Sequence, residues 1–163
     1  MTVPPDAGRV SIRRAVPSDL ATILEFRVAL LEDVFGAEYG PVTDPAAMRR
    51  DNETWISEHF GRDFSALIAE IDGRPVASAG LLWFPHPPGP ANPIGREAYI
   101  VSVYTRPEAR RLGLARAMIE RLVQEARHAG VRRVWLRASA AGRPLYENMG
   151  FRTGNYLQFT PDS

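Results

Sequence analysis

The sequence contains neither cysteine nor lysine, and all 20 of its basic residues are arginine. Without cysteine there can be no disulfide, no zinc–thiolate site and no cysteine nucleophile. Without lysine there can be no lysine Schiff base and no phosphate-binding lysine of the P-loop type. These absences remove several common catalytic chemistries before any motif is considered.

A large charge excess and a long apolar run are also missing. The net charge of +1 gives no overall field that would attract nucleic acid or a membrane, so neither is expected as a partner. No apolar run approaches the roughly 20 residues that span a bilayer, and residues 1–8 do not resemble a secretory signal. Three isolated histidines, His59, His86 and His128, form no metal-binding pattern. A cytoplasmic protein without a metal is the resulting expectation.

The length and composition favour one globular domain. The chain has 163 residues, of which 45% are hydrophobic and 24% charged. We find no internal repeat and no linker, so residues 1–163 are predicted to form a single domain, with 1–8 as a disordered tail.

Hydrophobic periodicity and turn signals predict the secondary structure. The predicted strands are 9–14, 64–71, 76–84, 97–104, 131–138 and 151–159. The predicted helices are 17–35, 45–60, 112–129 and 142–149. Asp44 should cap the second helix, Asp72-Gly73 should form a hairpin turn, and the proline-rich segment 85–95 should be irregular. The two strands that flank helix 112–129 suggest a parallel crossover within a mixed sheet.

The turn between the fourth predicted strand and helix 112–129 has the features of an anion site. It reads Arg110-Arg111-Leu112-Gly113-Leu114-Ala115. The first turn of a helix offers unpaired N–H groups and a positive dipole end, and the small residues Gly113 and Ala115 let a bulky anion approach the backbone. The arginines, including Arg116, add charge. A diphosphate fits this pattern, whereas the dinucleotide and P-loop fingerprints are both absent.

Three segments in order resemble the GCN5-related N-acetyltransferase superfamily. Arg110 to Ala115 satisfies that family's Arg/Gln-x-x-Gly-x-Gly/Ala signature. Residues 144–151 are similar to its Leu-Tyr-x-x-x-Gly-Phe element, and residues 99–104 are similar to the strand before its signature turn. The match covers about residues 97–151.

The resemblance implies an α/β (α+β) fold and a cosubstrate. The fold would contain a mixed, mostly antiparallel sheet of six to seven strands flanked by helices, with splayed central strands, and the cosubstrate would be acetyl-CoA. Ser139 stands where the family often has asparagine, whose reach is longer. The residues implied in coenzyme binding are Val103, Tyr104, Thr105, Arg110, Arg111, Leu112, Gly113, Leu114, Ala115, Arg116 and Ser139.

The resemblance also implies the catalytic residues. Tyr146 corresponds to the family tyrosine that protonates the departing thiolate, and a phenol with a pKa of about 10 is suited to that role. The family often has a glutamate base where this chain has Tyr99, and Glu97 lies two residues earlier on the same strand face. Glu97 is therefore the candidate base, with Glu32, Asp33 or a water channel as alternatives.

The acceptor is expected to be a primary amine of a small molecule or a peptide. In the resembling family the acceptor site is bounded by regions that here contain Leu31, Glu32, Phe35, Tyr39, Trp83 and Tyr156. For Phe35 and Trp83 a position in the core is the better default. Three alternatives stay open: a homodimer, an acyl-CoA-sensing module without turnover, and an interaction protein that acts through segment 85–95.

Overall fold

The computed structural model describes residues 9–157, except for the side chain of Glu38. The predicted tail 1–8 and the last two residues of the predicted final strand, Gln158 and Phe159, lie outside this range. The strands are β1 (Val10–Arg14), β2 (Phe64–Ile71), β3 (Arg74–Pro85), β4 (Arg96–Thr105) and β5 (Val134–Leu136). The helices are α1 (Leu20–Leu30), α2 (Gly36–Tyr39), α3 (Pro45–His59), α4 (Leu114–His128) and α5 (Arg143–Asn148).

The five strands form one mixed sheet in the order β1-β2-β3-β4-β5. Neighbouring strands are antiparallel except β4 and β5, which run parallel and are joined by the crossover helix α4. This confirms the predicted fold class, although residues 9–157 supply five strands where six to seven were expected. No helix in this range is long and apolar enough to cross a membrane.

The C-terminal part of the sheet differs from the prediction. Val131 does not begin a strand, because its N–H bonds to the carbonyl of Ala126, 3.0 Å away, and so closes the end of α4. β5 is therefore only three residues long. The predicted final strand is wrong for residues 151–157, which contain no strand. Instead, the Tyr156 ring meets the Trp135 ring edge-on, with centroids 4.1 Å apart.

The first helix also differs from the prediction, because it does not stop at Phe35. A π-helical turn, Leu31–Phe35, follows α1, and α2 then continues to Tyr39. Gly40 ends this run with a left-handed φ of +91°. A π-helical turn is wider than an α-helical one, and such turns occur frequently at functional sites.

Two layers of helices cover the sheet. In β2, Leu67 and Ala69 face the core beneath α4, whereas Ala66 and Ile68 face the core beneath α1 and α3. This alternation is the period of two that a strand imposes on its side chains. The sheet is therefore buried on both faces, as its apolar strands predict.

β4 contains a bulge just beyond the part that pairs with β5. Gly80 of β3 pairs with Val101 and Ser78 pairs with Tyr104, so that Ser102 and Val103 together oppose a single residue of β3. Ser102 has a φ of +54°, which is uncommon for a residue other than glycine. β4 pairs with β5 only from Ala98 to Ile100. The central strands are therefore splayed, as predicted.

Candidate active site

A cavity of about 700 Å³ opens where β4 separates from β5. Its walls come mainly from α1, the π-helical turn, α3, β4 and the segment that leads into α5, and α2, β2, β3 and α5 contribute one residue each. The lining side chains used below are Arg27, Leu31, Phe35, Tyr39, Asp51, Asn52, Tyr99, Ser102, Val103, Arg137, Ser139 and Tyr146.

The predicted anion turn lies at the N-terminus of α4. Arg111 and Gly113 both have left-handed φ angles, of +66° and +78°. The first bond at this end of the helix runs from the Ala117 N–H to the Gly113 carbonyl, at 3.0 Å. The N–H groups of residues 114–116 precede that bond, and so they lack a partner within the helix. Such a turn can direct several N–H groups and the positive helix end at one anion.

The arginines of the turn have different surroundings. The Nε of Arg110 donates to the Thr105 carbonyl at 3.1 Å, which fixes the turn to the end of β4. Arg116 pairs with Glu120 along the helix at 3.4 Å. Arg111 is exposed and makes no salt bridge within residues 9–157. Of these three arginines, Arg111 is therefore the one whose charge is least used in contacts within the protein.

The leucines of the turn point into the protein. Leu114 is buried, and Leu112 packs against the core beneath α4. Tyr104 is buried as well, and its hydroxyl donates to the Asp33 carboxylate at 2.5 Å. Burial, together with this bond, raises the pKa of Tyr104. Leu112, Leu114 and Tyr104 can therefore offer a ligand only backbone groups, whereas the side chain of Val103 lines the cavity.

Tyr146 is positioned by the start of α5. The Ser139 hydroxyl accepts a hydrogen bond from the Gly142 N–H at 3.1 Å, one turn before Tyr146. A Cβ at Gly142 would lie 3.1 Å from the Tyr146 ring, so the glycine lets the ring pack closely. Tyr146 is 9% exposed and lines the cavity. Burial raises its pKa, so the phenol stays protonated at neutral pH and can donate.

Glu97 is held by neighbouring side chains. It is 2% exposed, its carboxylate accepts a hydrogen bond from Trp135 Nε1, and the Arg133 guanidinium lies 3.7 Å away. These contacts join β4 to β5. Tyr99 lines the cavity, whereas Glu97 does not.

A comparison with known families identifies the protein class. The acetyltransferase (GNAT) family model matches residues 28–151 of this chain. The chain belongs to that family. The matched region contains the anion turn, Ser139 and Tyr146.

Relatives of this GNAT chain agree in fold. It is similar to a crystal structure from Clostridium acetobutylicum described as a predicted acetyltransferase with acetyl-CoA, at 27% identity and a TM-score of 0.81, over 93% of this chain and 96% of that one. It is also similar to a GCN5-related N-acetyltransferase from Ralstonia eutropha JMP134, at 25% identity and a TM-score of 0.82, over 93% and 98%.

A curated relative is the [ribosomal protein bS18]-alanine N-acetyltransferase of Escherichia coli K12, which is 43% identical over 58 residues. The matched stretch covers 34% of this chain and 39% of that protein.

The predicted acceptor residues of this GNAT protein divide into two groups. Leu31, Phe35 and Tyr39 line the cavity. Trp83 packs against the core beneath α4 and lies under the Arg96 guanidinium, 4.5 Å from its ring centroid. Glu32 and Tyr156 are exposed outside the cavity. The π-helical turn and α2, rather than β3 or the C-terminal segment, therefore supply the predicted residues that face the cavity.

Sequence reasoning missed five polar residues that line the cavity. They are Arg27, Asp51, Asn52, Ser102 and Arg137. Arg27 left a signal, because it lies four residues after Ile23, on the apolar stripe of α1. An arginine on such a stripe must either reach solvent or find polar partners. Ser102 left none, since the bulge that turns it toward the cavity depends on the pairing of β4 with β3.

Proposed function

We propose that the protein transfers the acetyl group of acetyl-CoA to a primary amine of a small molecule or peptide, by direct attack within a ternary complex. One observation carries the proposal. The phenol of Tyr146, the bulged part of β4 and the gap between β4 and β5 share one cavity. Within this family, that arrangement supports Tyr146 as a proton donor beside the β4 edge, and the chain continues from that edge through residues 106–110 to the anion turn.

The residues present suit acetyl-CoA. The N–H groups at the start of α4 and the Arg111 guanidinium would hold the diphosphate. Beyond Ile100, β4 has no strand partner on its β5 side within residues 9–157, so its edge there can bond an extended amide-containing chain, with the N–H near Val103 or Tyr104 facing the thioester oxygen. Ser139 would contribute its hydroxyl. Bound acetyl-CoA supplies an activated acyl group on a thiol leaving group.

Tyr146 would donate the proton that the departing thiolate needs. Its pKa is raised by burial, which keeps the donor form at physiological pH. The hydroxyl belongs to the side chain that Gly142 and Ser139 fix in place. In this proposal β4 would bind the thioester oxygen, and Tyr146 of α5 would protonate the departing thiolate.

The acceptor amine must lose a proton before it attacks. For an amine with a pKa of about 10.4, this costs roughly 4.6 kcal/mol at pH 7. Glu97 is the proposed base, and because it lies outside the cavity lining it would act through a water at the Tyr99 end of the site. Its bond from Trp135 would hold the carboxylate in one orientation.

Glu97→Gln should lower kcat/KM mainly below neutral pH, where few acceptor molecules are already deprotonated. At high pH the acceptor amine is already deprotonated without help from a base, and the rates of variant and wild type should converge. The measurement is the pH profile of thiol release. Trp135→Phe serves as the control, because it keeps the carboxylate while removing its hydrogen-bond donor. An unmoved pH profile in Glu97→Gln would assign Glu97 a purely structural role.

The overall proposal is tested by thiol release from acetyl-CoA with a panel of amines and amine-bearing peptides. We expect release that depends on the acceptor, together with an acetylated amine identified by mass spectrometry. Release from no member of the panel at any pH, with coenzyme binding intact, would contradict transfer and favour a sensor that binds acyl-CoA without turnover.

A further inference from the structure

The described cavity wall contains an exposed carboxylate, that of Asp51, and a half-buried cation, that of Arg27. Arg27 projects from α1 into the cavity. Within residues 9–157 no carboxylate forms a salt bridge with it. Burial lowers the pKa of Arg27, and the neighbouring Tyr99 opposes this effect. A guanidinium that is partly removed from water without a counter-ion is costly, and an anionic ligand would offset that cost.

Two neutral side chains hold the guanidinium of Arg27. Its Nε donates to Asn52 Oδ1 at 3.0 Å, and its Nη1 donates to Ser102 Oγ at 3.4 Å. Asn52 is itself oriented, because its Nδ2 donates to the Met48 carbonyl at 2.8 Å. These bonds use the Nε side of the fork and one proton of Nη1. The Nη2 protons and the second Nη1 proton have no partner within the described residues.

The N–H groups of the Arg27 guanidinium that remain free, on Nη1 and Nη2, have the geometry that suits a carboxylate. Two parallel N–H groups of a guanidinium match the two oxygens of a carboxylate in a bidentate pair. The ammonium group of a lysine could not form such a bidentate pair with a carboxylate. The donors to this anion come from α1, and the residues that fix them come from α3 and from the β4 bulge.

We propose that Arg27 binds a carboxylate of the acceptor, so that the amine substrate is an amino acid or an N-terminal peptide segment with an acidic side chain. The inference rests on the proposed function for the identity of the acceptor, and on the contacts of Arg27 for the anion. Asn52 and Ser102 are positioning residues in this arrangement. An amine without an acid group would leave Arg27 unpaired, and it would be a poorer acceptor.

A purely structural role for Arg27 predicts a different result. As a brace between α1, α3 and β4, Arg27 would affect stability and all acceptors equally. As an anion site, Arg27 would make each acid bind more tightly than its amide. The test therefore compares matched ligand pairs and does not depend on turnover.

The experiment titrates the CoA-bound protein calorimetrically with N-acetylglycine, N-acetyl-β-alanine and N-acetyl-4-aminobutyrate, each beside its primary amide. A further pair is N-acetyl-Ala-Asp-Ala-amide and N-acetyl-Ala-Asn-Ala-amide. In at least one pair the acid should bind about tenfold more tightly than the neutral ligand, as expected for a hydrogen bond to a charged group. A preference in the three small pairs identifies a free amino acid, and a preference in the peptide pair alone identifies an acidic peptide.

Arg27→Gln should remove this preference, and Arg27→Lys should retain only part of it because a lysine lacks the fork. Arg50→Gln is the control, since Arg50 is an exposed arginine of α3 outside the cavity lining. CoA affinity and the unfolding temperature confirm that each variant is folded. Equal binding of acid and amide, no binding of any pair, or a preference that survives Arg27→Gln would overturn the proposal. A preference without thiol release from any amine would instead reject the proposed transfer and keep the anion site.

Discussion

Gly113→Val is expected to weaken CoA binding at least about a hundredfold, which corresponds to about 2.7 kcal/mol. Gly113 has a φ of +78° as the residue before α4. A residue with a Cβ loses about 1–2 kcal/mol in this conformation, and branching at Cβ adds to the penalty. If the backbone relaxes to a negative φ, the N–H groups of residues 114–116 no longer converge. If it does not relax, the isopropyl group occupies the approach of the diphosphate.

The matched control is Gly130→Val at the other end of α4. Gly130 also has a φ of +78°, and a Cβ there would meet only ordinary contacts with Ile94, at 3.8 Å. Both variants should lose similar stability, measured as the free energy of unfolding, whereas only Gly113→Val should lose CoA affinity by calorimetry. Normal affinity in Gly113→Val, or equal losses in both, would remove the turn from the coenzyme site.

Tyr146→Phe should lower kcat by about a hundredfold or more, the usual contribution of a general acid. The affinity for CoA should be unchanged, because the ring still packs on Gly142 and only the hydroxyl is lost. In the wild type, activity should fall at high pH as the tyrosinate forms, and burial moves that fall above the ordinary tyrosine pKa of about 10. The variant should lack this high-pH limb.

Tyr156→Phe provides the comparison for Tyr146→Phe. Tyr156 is 62% exposed, and its ring lies against Trp135, outside the cavity lining. Its hydroxyl accepts a hydrogen bond from Arg133 Nη1 at 3.4 Å and does not line the cavity, so kcat and the pH profile should stay near the wild-type values when it is removed. A Tyr146→Phe variant that retains the wild-type rate and the high-pH limb would assign the proton to another donor.

Local signals in the sequence predicted the elements whose ends depend on local bonds. Asp44 caps α3, and its carboxylate accepts from the Ala47 N–H at 2.9 Å. Asp72 and Gly73 form the hairpin with φ angles of +51° and +75°, as a two-residue turn requires. Gly130 closes α4. In each case the residues that make the bond lie within a few positions of one another, and so one short segment contains all the necessary information.

The same reasoning was wrong where distant pairing decides the outcome. The segment 131–138 was predicted as one strand, but Val131 closes α4 and the pairing with β4 is confined to Val134–Leu136. Residues 151–157 were predicted to form the last strand, yet they form none, and the Tyr156 ring lies against Trp135. Hydrophobic periodicity indicates which faces of a strand can be buried. It does not indicate how much of the neighbouring strand's edge is available for backbone hydrogen bonds.

The sequence by itself determined the family resemblance and the glycine turn that begins α4, because both depend on contiguous residues. Gly113 fixes a left-handed backbone, and α4 follows it directly. Only the tertiary structure decided what else faces the cavity. It linked Arg27 to Asn52 and to Ser102, which lie 25 and 75 residues further along the chain. It also placed Glu97 against Trp135. Such groupings arise because the bulge and the helix packing bring remote side chains together, and no short motif encodes that proximity.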